Sequence, residues 1–205
     1  DQITKSLQQG LEFLARKQMP AGSFTGRANG QSTDTIFFTA LILGCLNGIQ
    51  DAKPLRESMA QYLLAHRSTA WSWNYWERGS NSRPYPDDLD DTACAVAGIA
   101  GHNAALLGAS AQASVAKNLI VCEVKPGGPY ATWLMPADHA QWRDVDPAVN
   151  ANIGYMLHKL GVHSEALQAY IDECLITHQL ESPYYVGEVP TLYFMARWYK
   201  GEQLH

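Results

Sequence analysis

The chain has no closely spaced cysteines, no long apolar run and no basic cluster, and each absence removes a class of protein. Its four cysteines, Cys45, Cys94, Cys122 and Cys174, stand far apart, whereas a structural zinc site would call for paired spacings such as C-x2-C. Each lies in an apolar helical pattern, which predicts buried thiols in a reducing compartment rather than a disulfide framework. A cytoplasmic location is the expectation. No apolar stretch approaches the roughly 20 residues that span a bilayer, so no transmembrane segment is expected. The formal net charge of −5 is mild, and the clustered basic face that nucleic acid or an anionic membrane would attract is missing. The opening residues, DQITKSLQQG, include neither an initiator Met nor a signal-like apolar stretch, as expected of a trimmed chain or a domain of a longer one. Strand signals are weak throughout. The 205 residues, 46% hydrophobic and 17% charged, match a soluble globular protein and suffice for one domain with a sizeable core.

What is there is a fourfold repeat. Each unit reads as a helix, an aromatic loop and a second helix opened by a polar or acidic cap. The units begin at ITKSLQQGLEFLARKQ, LRESMAQYLLAHR, ASVAKNLIVCEV and SEALQAYIDECLITHQ. Asp34, Asp91 and Asp146 recur at intervals of about 55 residues, a period that signals stacked helical units. The first helix of each unit is amphipathic, with Glu12, Lys17, Arg56, Glu57, Lys117 and Glu173 interleaved among apolar positions. The second is apolar or small nearly all round, as in IFFTALILGCL, TACAVAGIA and AVNANIGYML. A helix of that kind is normally surrounded by protein. The predicted fold is therefore all-α: a toroid-like α/α array of about four helical hairpins, first helices outside and second helices inside, forming a single domain over residues 1–205.

In such an array every outer-to-inner loop emerges at the end where the inner helices have their N-termini. Those loops hold five of the six tryptophans (Trp71, Trp73, Trp76, Trp133 and Trp142) together with Phe24, Tyr75, Tyr85, Tyr130, Tyr184 and Tyr185. Aromatic side chains there either cover the end of the core or line a pocket. For a lining, the candidates are Trp71, Trp73, Trp76, Tyr85, Trp133 and Trp142, with Tyr155 from an inner helix.

One stretch of that rim, PYPDDLDDTACAV, puts four carboxylates into five positions. Asp34, Asp91 and Asp146 are each explained by helix capping and by the helix dipole. Asp87, Asp88 and Asp90 exceed what capping needs. In helical geometry Asp87 would face Asp90 and Asp91, and Asp88 would face Asp91. Crowding raises the proton affinity of such a set while the helix N-terminus favours the ionised forms. The expected result is a coupled cluster that holds a proton beside a largely apolar wall. A carboxylic acid kept protonated in that setting can serve as a general acid.

The run from Asp88 to Ala93, DLDDTA, resembles the D-x-D-D-T-A motif of class II terpene cyclases, the squalene–hopene cyclase group. The α/α units, with glycine and aromatics after each outer helix, are similar to the prenyltransferase/squalene-cyclase repeat. The resemblance implies an isomerase that cyclises a linear isoprenoid by protonating an alkene or epoxide. Aromatic faces would stabilise the carbocation by cation–π attraction. Asp90 would be the general acid, and Asp88 and Asp91 would tune and orient it. No cofactor is implied for the acid chemistry, and Mg²⁺ only where the substrate carries a diphosphate. The chain departs from the family pattern in three ways. Phe24 stands where Trp is usual in RKQMPAGSF, and later units lack the Gln. Four hairpins replace five or six. One domain is present where familiar cyclases bind substrate between two, so a second cyclase domain or a second copy of the chain is an expected partner.

Three other readings use the same residues. DDLDD fits D-D-x-x-D, the Mg²⁺-diphosphate motif of class I prenyl synthases, although the facing helix offers only Asn150 and Asn152. Asp91 and Cys94, joined by His139 or His158, would imitate the zinc site of protein prenyltransferase β-subunits. A non-catalytic α/α module could bind a partner through the aromatic rim, but would have no use for a carboxylate titrating far above about 3.9. Arg27, Arg78, Arg83, Lys125 and Arg143 lie in or beside the rim loops, available either to a diphosphate or to balance the Asp cluster.

Overall fold

The alternation of amphipathic and uniformly apolar segments produces eight α-helices among the described residues of the computed structural model. Residues 2–28, 31–78 and 85–201 are described, with backbone only for 27–28 and 31–34. Arg83 and the side chains of Arg27 and Asp34 therefore lie outside the described part. In chain order the helices are α1 (Gln2–Lys17), α2 (Ile36–Leu46), α3 (Lys53–Ala65), α4 (Leu89–Asn103), α5 (Ala109–Cys122), α6 (Pro147–Lys159), α7 (Glu165–Thr177) and α8 (Val189–Ala196). They pair as the repeat predicts, one outer and one inner helix per unit. No helix among the described residues is long and apolar enough to cross a membrane.

The even-numbered helices form the inner row: α2 packs on α4, α4 on α6 and α6 on α8. Small residues set their spacing. On α4, every position from Asp91 to Ile99 is buried, and the ideal Cβ of a residue replacing Gly98 would press on Ala40 and Leu43 of α2. At Gly154 of α6 that Cβ would fall inside the indole of Trp198. Gly154→Ala should therefore destabilise the protein by about 1–3 kcal/mol through overpacking, measured as a lower urea midpoint at unchanged m-value. The outer helices bury one stripe each, as Leu167, Ile171, Cys174 and Leu175 do on α7.

Three expectations change. A β-hairpin joins α1 to α2: β1 (Phe24–Ala28) pairs antiparallel with β2 (Gln31–Thr35). The pattern carries little strand signal there because Gly and Asp are depleted in strands and no alternation of apolar residues marks the segment. The capping register also shifts. Asp146 does cap α6, its Oδ1 accepting from the Val149 N–H at 2.8 Å. The equivalent residue on α4 is Asp88, not Asp91, accepting from the Asp91 N–H at 2.7 Å. On α2 the cap position belongs to Thr35. Finally, Cys94, Cys122 and Cys174 are buried, but Cys45 is exposed, with Sγ 3.5 Å from the Tyr193 hydroxyl of α8.

Candidate active site

The loops at the N-terminal rim of the inner helices hydrogen-bond to one another through their backbones. The Ile36 N–H donates to the Tyr75 carbonyl (3.0 Å), Asp88 to Trp73 (3.2 Å), Leu89 to Thr132 (2.7 Å) and Leu134 to Asp87 (2.9 Å). Residue 88 is bridged on both sides, by Trp73 and by Trp133. The first three rim loops thus form one continuous belt, and it fixes the start of α4 between Trp73 and Trp133.

Inside the belt lies a cavity of about 400 Å³ lined by Asp88, Asp90, Asp91 and, among others, Phe37, Phe38, Tyr75, Trp76, Tyr85, Trp133, Tyr184 and Tyr185. The rings brace one another. Phe37 lies 5.9 Å from Tyr185 and Tyr75 4.8 Å from Trp76. Trp133 sits 5.7 Å from Tyr85 and 5.8 Å from Tyr184. Its indole N–H donates to the Tyr184 hydroxyl (3.0 Å), which in turn donates to Asp144 (2.7 Å), so its orientation is set. A larger cavity, about 770 Å³, lies at Gln112, Val115, Glu123, Tyr130, Leu160 and Ala166, away from the aspartate cluster.

The three carboxylates of the cavity have different surroundings. Asp88 and Asp91 are buried, with 6% and 3% exposure, while Asp90 is only partly covered. Asp90 accepts on Oδ1 from the Asn152 amide at 2.5 Å, and on Oδ2 from the Tyr185 hydroxyl. Burial raises its proton affinity to a value of about 6, against the lowering effect of those two donors and of Arg197. Asp88 is pushed up to about 7, chiefly by burial. Asp91 goes well above the usual carboxylate range through burial and the charge of Asp88. Its Oδ1 has no hydrogen-bond partner among the described residues. The site therefore presents a partly exposed acid backed by two buried carboxyls that favour the protonated form, under an aromatic roof.

No family model matches the chain, and no curated protein matches it. Solved structures do. A variant of the type II terpene cyclase MstE from Scytonema, in complex with its product merosterolic acid A, superposes with a TM-score of 0.63 at 16% identity, over 95% of this chain and 59% of that one. A second MstE variant, holding the substrate geranylgeranyl dihydroxybenzoate, gives 0.60 at 17% identity, over 95% and 58%. The fold is that of a type II terpene cyclase. A protein from Actinoplanes shares it, with a TM-score of 0.59 at 18% identity over 95% and 64%. The chain spans about three fifths of the length of these structures.

Within this terpene cyclase fold the candidate residues part company. Trp76, Tyr85 and Trp133 line the cavity with Asp88, Asp90 and Asp91. Trp142 stands one ring back, edge-on to Trp133 at 5.0 Å. Trp73 is a core residue with 0% exposure, its indole N–H donating to the Leu63 carbonyl at 2.7 Å. Trp71 packs under the Arg67 guanidinium at 4.8 Å, and Tyr155 under that of Arg197 at 4.2 Å; neither borders the cavity. Asp87 precedes α4, so it does not face Asp90 and Asp91 across a helical turn. Its Oδ2 accepts from Ser72 (2.6 Å) and pairs with Arg78 (3.3 Å). The D-D-x-x-D carboxylates consequently do not share a helix face. Among the described residues no three His, Cys, Asp or Glu side chains are grouped to hold a metal ion, so Asp91, Cys94, His139 and His158 do not come together. Arg143 is committed to the carbonyls of Val121 and Glu123, both at 3.3 Å.

Phe37, Phe38 and Arg197 were not among the candidates, and Asn152 entered only with the class I alternative. The two phenylalanines read as core in an apolar helix start. Asn152 had a signal: with Asn150 it is one of two amides in an otherwise greasy inner helix, and it has 0% exposure. A buried amide demands partners.

Proposed function

We propose that the protein cyclises a linear isoprenoid by proton transfer from Asp90, as a class II terpene cyclase does. The carrying observation is the Asp90 carboxyl at an aromatic cavity, with a proton affinity raised to about 6 by burial. In the step proposed, the O–H bond of neutral Asp90 breaks as a bond forms from that proton to an alkene carbon or epoxide oxygen. The cation left on the substrate is attacked by the next alkene, closing a ring. A water molecule takes the proton lost at the end, so the whole is an isomerisation, and that proton is returned to Asp90 through the solvent. The rings of Phe37, Tyr75, Trp76 and Trp133, which line the cavity, would hold the travelling cation. Mg²⁺ would serve only a diphosphate head group, since the acid step has no need of it. The cavity lies at the rim, where a second cyclase domain or a second copy of the chain is the partner that would cover it.

The test incubates the protein with squalene, geranylgeraniol, farnesyl diphosphate and geranylgeranyl diphosphate, with and without Mg²⁺. Products are read by gas chromatography–mass spectrometry after phosphatase treatment. Cyclic isomers formed without Mg²⁺ are expected. Because the acid must be neutral to act, the rate should fall as pH rises through about 6, close to tenfold per unit beyond it. Products arising only from Mg²⁺-dependent loss of diphosphate would replace this reading with the class I one.

A further inference from the structure

We infer that Arg197 is a positioning residue that acts on the acid through Asn152, confining the Asp90 proton to the oxygen that faces Tyr185. The catalytic meaning of this inference rests on the acid role proposed for Asp90; its geometry does not.

A guanidinium can only donate hydrogen bonds. Arg197 donates from Nη2 to Asn152 Oδ1, so the atom of the amide that meets it must be the oxygen. That leaves Nδ2 facing Asp90, where it donates to Oδ1 at 2.5 Å. An amide NH₂ cannot accept, so Oδ1 cannot carry a proton along that line. The proton of neutral Asp90 is therefore favoured on Oδ2, beside the Tyr185 hydroxyl, the one partner that can turn from donor to acceptor when it arrives. Tyr185 lines the cavity, so this is the side from which a substrate can be protonated.

Without Arg197 the lock is gone. Asn152 is buried, and its amide would then be free to turn over, present its carbonyl to Asp90 and accept a proton from Oδ1. The acid would be weakened and its proton aimed away from the cavity. Arg197 itself is held firmly, with its guanidinium 4.2 Å from the Tyr155 ring, 4.9 Å from Phe194 and 5.6 Å from Tyr193. The other ionisable groups around Asp90 are Asp88 and Asp91 beside it, Cys94 one turn on, Asp146 at the start of α6 and Tyr185 ahead of α8. Among the described residues Arg197 is the cation that acts on Asp90.

Carboxyl ¹³C NMR of protein labelled at aspartate tests this, with the Asp90 signal assigned by its loss in Asp90→Asn. The variants are Arg197→Met, Arg197→Lys, Asn152→Leu and the Met–Leu double variant, each first shown to be folded by circular dichroism. Arg197→Met should raise the Asp90 midpoint by about one pH unit, as loss of a charge-side donor does, and Arg197→Lys should restore most of it. If Arg197 works through Asn152, Arg197→Met should have less than half that effect in the Asn152→Leu background. In turnover, Arg197→Met should lower kcat about tenfold at constant KM and shift the fall of the pH–rate profile upward. An unmoved midpoint in folded Arg197→Met would overturn the inference. So would an equal shift with and without Asn152, which would mean charge acting through space alone. The titration reads the lock whether or not any isoprenoid is turned over, so failure of the cyclase reading and failure of this one are separate results.

Discussion

Asp90→Asn should slow cyclisation by about 10³-fold or more, within the range found for removing a positioned general acid, and should do so without unfolding the protein. The side chain keeps its shape, and its oxygen can still accept from Asn152 or Tyr185. What it loses is the proton to give. The two neighbouring carboxyls cannot stand in for it. Asp88 spends its Oδ1 on the Asp91 N–H as the cap of α4, and Asp91 is the more deeply buried of the pair. Initial rates measured by gas chromatography–mass spectrometry, alongside a melting curve, decide the matter. A folded Asp90→Asn protein that keeps a tenth or more of the wild-type rate would place the acid elsewhere.

The second large effect is on stability, and it runs the other way. Asp88→Asn should make the protein more stable at pH 8, by roughly 5–10 °C in Tm, and leave it unchanged near pH 4. Asp88 titrates at about 7 in the folded protein instead of 3.8. The folded state therefore binds a proton that the unfolded chain has released across that interval. Stability contributed by neutral Asp88 is complete below about 4 and is lost as pH rises through 7. The cost of forcing the charged form is on the order of 4 kcal/mol, shared with Asp91. Asn removes that cost while remaining as good an N-cap as Asp. Melting curves from pH 4 to pH 8 would show both proteins losing stability with rising pH, because Asp90 and Asp91 remain, and the wild type losing it more steeply than the variant. Parallel curves would mean that Asp88 carries no such burden.

The order of the helices was legible because burial imposes two different patterns: charges interleaved on the outer helix of each pair, small or apolar residues all round on the inner. The carboxylate cluster was legible because four aspartates at one helix start exceed what capping needs, Asp88 alone serving as the cap of α4. Its partners were not. Asn152, Tyr185 and Arg197 reach Asp90 across α6 and α8, and no local pattern announces contacts made so far along the chain. The rim aromatics divide for a similar reason. Trp73 and Trp76 are three residues apart in one loop, yet the first sinks into the core and the second faces the cavity. Backbone pairing of residue 73 with residue 88 decides which side faces in, and that pairing is a property of two loops together.

Asp90 and most of the walls around it are carried by different kinds of structure, Phe37 and Phe38 of α2 being the helical exceptions. Asp90 and Asn152 belong to packed inner helices, whereas Trp76, Tyr85, Trp133, Tyr184 and Tyr185 belong to the connections between helices. A change of cavity shape can thus be inherited as a handful of loop substitutions while the setting of the Asp90 carboxyl is passed on intact. On the proposed function, selection acting on such a chain would have two nearly independent dials, one for whether a hydrocarbon is protonated and one for how it is folded when that happens. Laboratory diversification aimed at new ring skeletons belongs on the second.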